Sequence, residues 1–159
     1  MKKLQQIRFF FVLLFFKKER LLMELTLKDK SSYLKGLLIV AKKDNQLTEP
    51  EKKILRDIAL RLGFATDFYE DTLRSLLSNK YILEDPIKFS SKKVAESFIY
   101  DGLRLAFSDM MISEKEISWL KATAIENEIV EEWFEEKYIK QRDSSNTISN
   151  SEFALFSII

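Results

Sequence analysis

Apolar residues recur at steps of three and four positions along most of the chain between residues 26 and 142. This spacing places them on one face of an α-helix, whereas a half-buried strand has an apolar residue at every second position. The clearest stripes are Leu34, Leu37, Leu38 and Ala41; Ile54, Leu55, Ile58 and Leu62; and Val94, Phe98, Ile99, Leu103 and Ala106. No segment has convincing strand alternation. The pattern therefore predicts an all-α fold.

Helix-end signals divide this region into separate helices. Thr48-Glu49-Pro50-Glu51 is typical of a capping box, in which Thr48 and Glu51 bond each other's backbone amides and Pro50 lies in the first turn. Gly63 follows the next apolar stripe and is expected to end that helix. Ser113-Glu114-Lys115-Glu116 predicts a second capping box. Further helices are expected over Asp67–Ser78, with Phe68 facing inward, and after Ser90 or Ser91. A last helix is expected from Trp133 to about Gln141.

The second half of the helical region repeats the first at a distance of 65 residues. That shift aligns residues 38–70 with residues 103–135 without a gap. Identical pairs are Leu38 and Leu103, Ala41 and Ala106, Asp44 and Asp109, Glu49 and Glu114, Glu51 and Glu116, Leu55 and Leu120, Ala59 and Ala124, and Glu70 and Glu135; similar pairs include Ile54 with Trp119 and Phe68 with Trp133. A duplicated three-helix unit explains the match. We expect one compact domain built from two pseudo-symmetric three-helix units that cover each other's apolar faces.

Composition excludes several kinds of chemistry. The 159 residues include no Cys and no His, which removes disulfides, thiol redox chemistry and every His-based catalytic triad. The ligands that usually hold zinc are missing for the same reason. The formal net charge is +1, so the chain as a whole has no positive field for nucleic acid, and no nucleic-acid partner is expected.

Charge and hydrophobicity set the two ends of the chain apart from its middle. Residues 1–22 have a net charge of +5, while the remaining residues have a net charge of −4. Residues 143–151 are rich in Ser and Asn, and an apolar stretch without helical period follows them. We therefore divide the chain into a basic, apolar leader (1–25), the helical domain (26–142) and a flexible, loosely held tail (143–159).

The leader is open to three interpretations. Its apolar run, Phe9–Phe16, has eight residues, far fewer than the roughly 20 that a membrane-spanning helix needs. Residues 4–22 suit contact with a membrane surface, with aromatic side chains in the interface and lysines on the headgroups. Alternatively, the natural start is Met23, which stands just before the first well-patterned segment. The third interpretation is a helix packed on the core.

One short acidic loop occurs in each half of the helical region. Asp44 precedes the helix start that contains Glu49 and Glu51, and Asp109 stands in the same relation to Glu114 and Glu116. Carboxylates around a tight interhelical loop suit a hard cation such as Ca²⁺ or Mg²⁺, with waters supplying the remaining ligands. The alternative is structural, because acidic residues in a first helical turn cap the backbone and favour the helix dipole.

The motif A-x-x-D-x-x-[LI]-[TS]-E-x-E, present in both halves, resembles the TerB-like family named for tellurite resistance. The similarity is highest in LIVAKKDNQLTEPEKKILRDIALRLGF and extends over roughly residues 30–140. The resemblance implies a compact helical domain of bacterial stress-response and membrane-linked systems. By position, it implies that metal is held by Asp44, Glu51, Asp109 and Glu116. The family usually has Gly after the Asp, where this chain has Asn45 and Met110. Met is poorly suited to a left-handed turn, so the second loop is expected to be reshaped.

These observations lead to one expected function and two alternatives. We expect a cytoplasmic, non-catalytic binding module with a protein partner, holding Ca²⁺ or Mg²⁺ at the acidic loops. The first alternative is a peripheral-membrane scaffold protein anchored by its N-terminal segment. The second is a hydrolase with an acidic divalent-metal centre. No catalytic residue and no organic cofactor is predicted.

Overall fold

The computed structural model describes residues 25–42, 47–78, 85–108, 113–144 and 153–158. Within these ranges the regular structure consists of α-helices and a final 3-10 helix, and no strand occurs there. The helices are α1 (Leu27–Lys42), α2 (Glu49–Arg61), α3 (Thr66–Ser78), α4 (Lys92–Ala106), α5 (Glu114–Glu126) and α6 (Glu131–Asp143), followed by the 3-10 helix Ala154–Ser157. The predicted all-α fold is confirmed.

Two of the predicted helix starts are confirmed by their cap bonds. The Thr48 hydroxyl accepts the Glu51 N–H at the start of α2, and Pro50 lies in the first turn. At the start of α4 the cap is Ser91, whose hydroxyl accepts the Val94 N–H. These bonds satisfy amides that have no partner inside the helix.

Helix boundaries recur at the distance of 65 residues found in the sequence. α2 and α5 begin and end at corresponding positions, as do α3 and α6, while α1 and α4 begin at corresponding positions and differ by one residue at their ends. A cross-helix ion pair also recurs, between Arg56 and Glu70 (3.4 Å) and between Lys121 and Glu135 (3.2 Å). The rotation that would relate the two units as pseudo-symmetric copies stays a prediction.

The turns after α2 and α5 share one backbone conformation. Gly63 N–H donates to the Leu60 carbonyl, and Glu128 N–H donates to the Ile125 carbonyl. Both donors have positive φ, 87° at Gly63 and 58° at Glu128. Gly adopts this conformation without a steric penalty, whereas Glu does not. The Gly63 helix end is confirmed, and its counterpart gives no glycine signal in the sequence.

The core is centred on the contact between α1 and α4. Tyr33 and Phe98, which are corresponding residues, meet edge to face with ring centroids 5.3 Å apart. Two glycines permit close packing around them. A Cβ atom at Gly36 would lie 2.5 Å from Phe98 Cζ, and one at Gly102 would lie 2.6 Å from Leu120 Cδ2. A side chain at either position would therefore separate the packed helices.

Helix α3 faces the core differently from the sequence prediction. Phe68 was expected to point inward, but its side chain is 53% exposed and stacks on Phe64 with ring centroids 5.2 Å apart. Tyr69 is buried in its place, and its hydroxyl donates to the Lys52 carbonyl at 3.1 Å. A hydrogen-bonding hydroxyl makes a buried Tyr compatible with this position.

The structure describes part of the predicted tail but almost none of the predicted leader. Residues 1–24 lie outside the described residues, so the three interpretations of the leader stay open. In the tail, Phe153, Leu155 and Ile158 are buried, and the 3-10 helix packs mainly on α4. This part of the tail thus differs from the loosely held segment that we expected. Among the described helices, none is both long and apolar enough to cross a bilayer.

Candidate functional site

The first acidic loop ends in a complete capping box. Glu51 Oε2 accepts the Thr48 N–H at 2.7 Å and the Thr48 hydroxyl at 2.8 Å, and the Thr48 hydroxyl accepts the Glu51 N–H at 3.4 Å. The Glu51 side chain is buried, whereas Glu49 is exposed and pairs with Lys52 at 2.6 Å. The capping interpretation of Glu51 is therefore confirmed. Its predicted role as a metal ligand stays a prediction.

The second acidic loop is built differently at the corresponding helix start. Helix α5 begins at Glu114 as expected, but the Ser113 side chain makes no cap hydrogen bond. The prediction that the Ser113 side chain caps this helix is wrong. A cap bond needs a hydroxyl rotamer that faces the third amide of the helix, and the residue type alone does not fix that rotamer. Glu116 is nevertheless buried, at 2% exposure, as is Glu51.

The structure describes only one of the two predicted metal ligands in each acidic loop. Asp44 and Asp109, which would complete them, lie outside the described residues, and Glu51 and Glu116 lie inside. In the described parts of the chain, no three Asp or Glu side chains lie close enough together to hold an ion. Each loop thus contributes one buried carboxylate, an oxygen donor of the type that Ca²⁺ and Mg²⁺ accept.

A buried carboxylate that the sequence did not indicate, Asp101, lies on α4. Asp101 is fully buried. Its Oδ1 accepts the Ala154 N–H at 2.6 Å, and its Oδ2 accepts the Leu155 N–H at 3.0 Å and the Tyr33 hydroxyl at 2.5 Å. Burial raises the pKa of Asp101 to about 6, although these hydrogen bonds and the charge of Arg104 act in the opposite direction. Asp101 therefore binds the tail to both α1 and α4.

The Tyr33 hydroxyl is a stable donor in this cluster. Burial, together with the adjacent Asp101 charge, raises the pKa of Tyr33 well above its ordinary value. The phenol therefore keeps its proton at neutral pH and donates to the Asp101 carboxylate.

A second buried carboxylate, Asp29, joins the start of α1 to the segment before α4. Its oxygens accept the Ser90 N–H at 2.9 Å, the Ser90 hydroxyl at 2.5 Å and the Thr26 hydroxyl at 2.7 Å. Burial acts to raise the pKa of Asp29, but the hydrogen bonds from Ser90 and Thr26 outweigh it, and the pKa is lowered. Asp29 is thus a structural anion with its acceptors in use.

Asn127 is the third buried polar anchor. Its amide group donates to the Ile87 carbonyl at 2.6 Å and to the Thr123 carbonyl at 2.8 Å, and it accepts the Phe89 N–H at 2.9 Å. The segment before α4 is thereby tied to the end of α5. Asp29, Asp101 and Asn127 all bond partners distant in the chain, and no local motif in the sequence marks such partners.

None of the three anchors has the arrangement of a reaction centre. Each bonds backbone amides, carbonyls or hydroxyls of the fold itself, which leaves the described polar atoms of Asp29, Asp101 and Asn127 engaged in holding elements together. The acidic loops remain the candidate site. The chain matches no protein-family model, no curated protein and no solved structure.

Proposed function

We propose that the chain is a non-catalytic, TerB-like binding module of a bacterial stress-response or membrane-linked system, in which the acidic loops hold Ca²⁺ or Mg²⁺ and a protein partner is bound. One observation carries the proposal: Glu51 and Glu116, at corresponding helix starts, are both 2% exposed. A buried carboxylate is costly unless hydrogen bonds or a cation compensate it. Capping bonds from Thr48 compensate Glu51, and the corresponding position of α5 holds a second buried carboxylate, Glu116.

The proposed ligands are one Asp and one Glu from each loop. Asp44 would act with Glu51, and Asp109 with Glu116. Backbone carbonyls at the preceding helix end and water molecules would supply the other oxygens that a hard divalent ion needs. A cation bound by the native state alone stabilises it by mass action.

Thermal melting of the full chain across a Ca²⁺ or Mg²⁺ titration at fixed ionic strength tests this proposal. We expect the melting temperature of the wild type to rise with ion concentration, and Asp44→Asn and Asp109→Asn to lose much of that rise. Asn keeps the turn hydrogen bonds but not the charge. Asp67→Asn, an exposed acid at the start of α3, is the matched control. A flat wild-type response at millimolar ion, with no metal in elemental analysis, would exclude the ion site.

The membrane-surface alternative has support of its own in the leader. Residues 1–22 combine a charge of +5 with the apolar run Phe9–Phe16, and such pairs of signals bind anionic membranes. Sedimentation with phosphatidylserine vesicles tests it, comparing the full chain with one that begins at Met23. Co-sedimentation of the full chain alone supports an anchor, and its absence at low salt removes this alternative.

A further inference from the structure

The turn between α5 and α6 exposes apolar and acidic side chains next to each other. Ile125 and Val130 are 68% and 56% exposed. The acidic residues around them, which are exposed as well, are Glu126, Glu128, Glu131 and Glu132. All six lie within eight consecutive residues, and we refer to this stretch, residues 125–132, as the acidic turn. It offers both apolar contact and negative charge to whatever binds there.

The backbone of this turn does not require its acidity. The matching turn of the first unit has the same backbone hydrogen bonds and the same positive φ. An exposed apolar residue is present in both turns, because Leu60, which is 50% exposed, corresponds to Ile125. The net charge at the four acidic positions is −4 in the acidic turn and zero in the first unit, where the residues are Arg61, Gly63, Thr66 and Asp67.

Helix-end preferences explain only half of this charge. Glu131 and Glu132 lie in the first turn of α6, where acidic side chains favour the helix dipole. Glu126 is the last residue of α5 and Glu128 lies just beyond it, and at this end of a helix the dipole favours cations instead. Lys88 supplies one cation, which donates to the Glu126 carbonyl at 2.7 Å and lies 3.9 Å from Glu128 Oε1. The turn therefore holds more negative charge than its two helix ends favour.

The leader has the complementary composition. Residues 1–22 have a net charge of +5, and Arg8 and Lys17 directly flank the apolar run Phe9–Phe16. The opposite charge is concentrated around the acidic turn, because residues 113–144 contain nine acidic and five basic residues. Their net charge of −4 equals that of the whole chain after residue 22. A segment with apolar side chains between cations thus matches a surface with apolar side chains among carboxylates.

We propose that the acidic turn is the docking surface of the chain's own leader, which lies outside the described residues. The side chains of Phe9–Phe16 cover Ile125 and Val130, and the flanking cations pair with the carboxylates of the turn. Because leader and turn belong to one chain, their effective concentration is high, and individually weak exposed pairs act together. Docking withholds the leader from anionic membranes, which attract the same combination of charge and apolar side chains. The inference does not depend on ion binding.

Paramagnetic relaxation in the full chain locates the leader. The sequence has no Cys, so Gln5→Cys gives a single attachment point for a nitroxide and leaves the charge of the leader unchanged. The amide signals of the nitroxide-labelled chain are compared with those of the same chain after reduction of the label. We expect a loss of signal intensity at residues 125–132 that is clearly larger than the loss at residues 60–67, the matching turn.

Two pairs of variants at corresponding positions separate docking from a general change of the surface. Glu132→Lys reverses one charge of the acidic turn, and Asp67→Lys makes the same change at the corresponding exposed position of the first unit. Ile125→Ser and Leu60→Ser each remove an exposed apolar side chain, one from each turn. We expect Glu132→Lys and Ile125→Ser each to weaken docking about twofold or more, the effect of losing one exposed contact. The two changes in the first unit should leave the intensities unchanged.

Three results would overturn the proposal. The first is a loss of intensity that is as large at residues 60–67 as at residues 125–132, or absent from both. The second is an equal effect of each variant and its control. The third is found by mixing isotope-labelled chain without nitroxide and nitroxide-labelled chain without isotope. Broadening of the acidic turn in that mixture would mean that the leader docks on another copy and not on its own chain.

Discussion

Backbone amides and hydroxyls hold the buried carboxylates of Asp29 and Asp101, but the pKa values of the two groups move in opposite directions. Asp29 and Asp101 both accept a backbone N–H and a hydroxyl from distant parts of the chain. The pKa of Asp29 is lowered, whereas that of Asp101 is raised to about 6. The difference arises because burial outweighs hydrogen bonding at Asp101 and is outweighed at Asp29.

The raised pKa of Asp101 predicts a specific pH dependence of stability. The native state holds this proton more tightly than the unfolded chain, where the ordinary value is 3.8. The free energy of unfolding that Asp101 contributes is therefore highest below pH 3.8 and falls as the pH rises through about 6. Compared with Asp101→Asn, the wild type should gain on the order of 3 kcal/mol between neutral and acidic pH. Urea unfolding of the wild type and of Asp101→Asn between neutral and acidic pH measures this gain. A difference in the free energy of unfolding that stays constant with pH would contradict the prediction.

At the scale of elements, the two capping sequences should respond differently to mutation. Thr48→Ala removes a cap bond and should lower the free energy of unfolding by about 1 kcal/mol. Ser113→Ala removes a hydroxyl that makes no cap bond and should change stability by at most a few tenths of a kcal/mol. Chemical denaturation of the two variants compares them directly. Equal losses would show that Ser113 caps α5 in solution.

Substitutions in the matching turns after α2 and α5 should change stability in opposite directions. Gly63→Ala places a side chain at a φ of 87° and should destabilise the protein by about 1 kcal/mol. Glu128→Gly relieves the same conformation and should stabilise the protein by up to about 1 kcal/mol, since the ion pair that Glu128 forms with Lys88 is long, at 3.9 Å, and exposed. Thermal melting checks both signs. Destabilisation by Glu128→Gly would show that the Glu128 side chain makes a stabilising contact in solution.

Sequence reasoning found the elements whose signals are local. Thr48, Ser91 and Gly63 mark helix ends through contacts with residues only a few positions away, so residue type alone reveals them. The bonds of Asp101 to Tyr33 and Leu155 join residues more than fifty positions apart, and no short motif encodes them. Phe68 was wrongly placed in the core, because its neighbour Tyr69 is also aromatic and the register of α3 on the core decides which of the two is buried.

At the scale of the whole molecule, the repeat predicts equal energetic roles for corresponding core residues. Leu55 and Leu120 are both fully buried and lie at the same position of α2 and α5. Leu→Ala at either should reduce the free energy of unfolding by about 2–5 kcal/mol. Guanidinium unfolding of the two variants measures the losses. A large loss for Leu55 with none for Leu120 would contradict the proposed equivalence of the units.

The repeat also has a spectroscopic consequence. Both tryptophans of the chain, Trp119 and Trp133, belong to the second unit, where the first unit has Ile54 and Phe68. Intrinsic fluorescence excited in the tryptophan band therefore observes one half of the molecule, whereas far-ultraviolet circular dichroism observes both. Because α1 and α4 share the central contact, we expect the two signals to follow a single transition. If the fluorescence transition falls at a different temperature, the halves unfold separately, and the order of the two transitions identifies the weaker half.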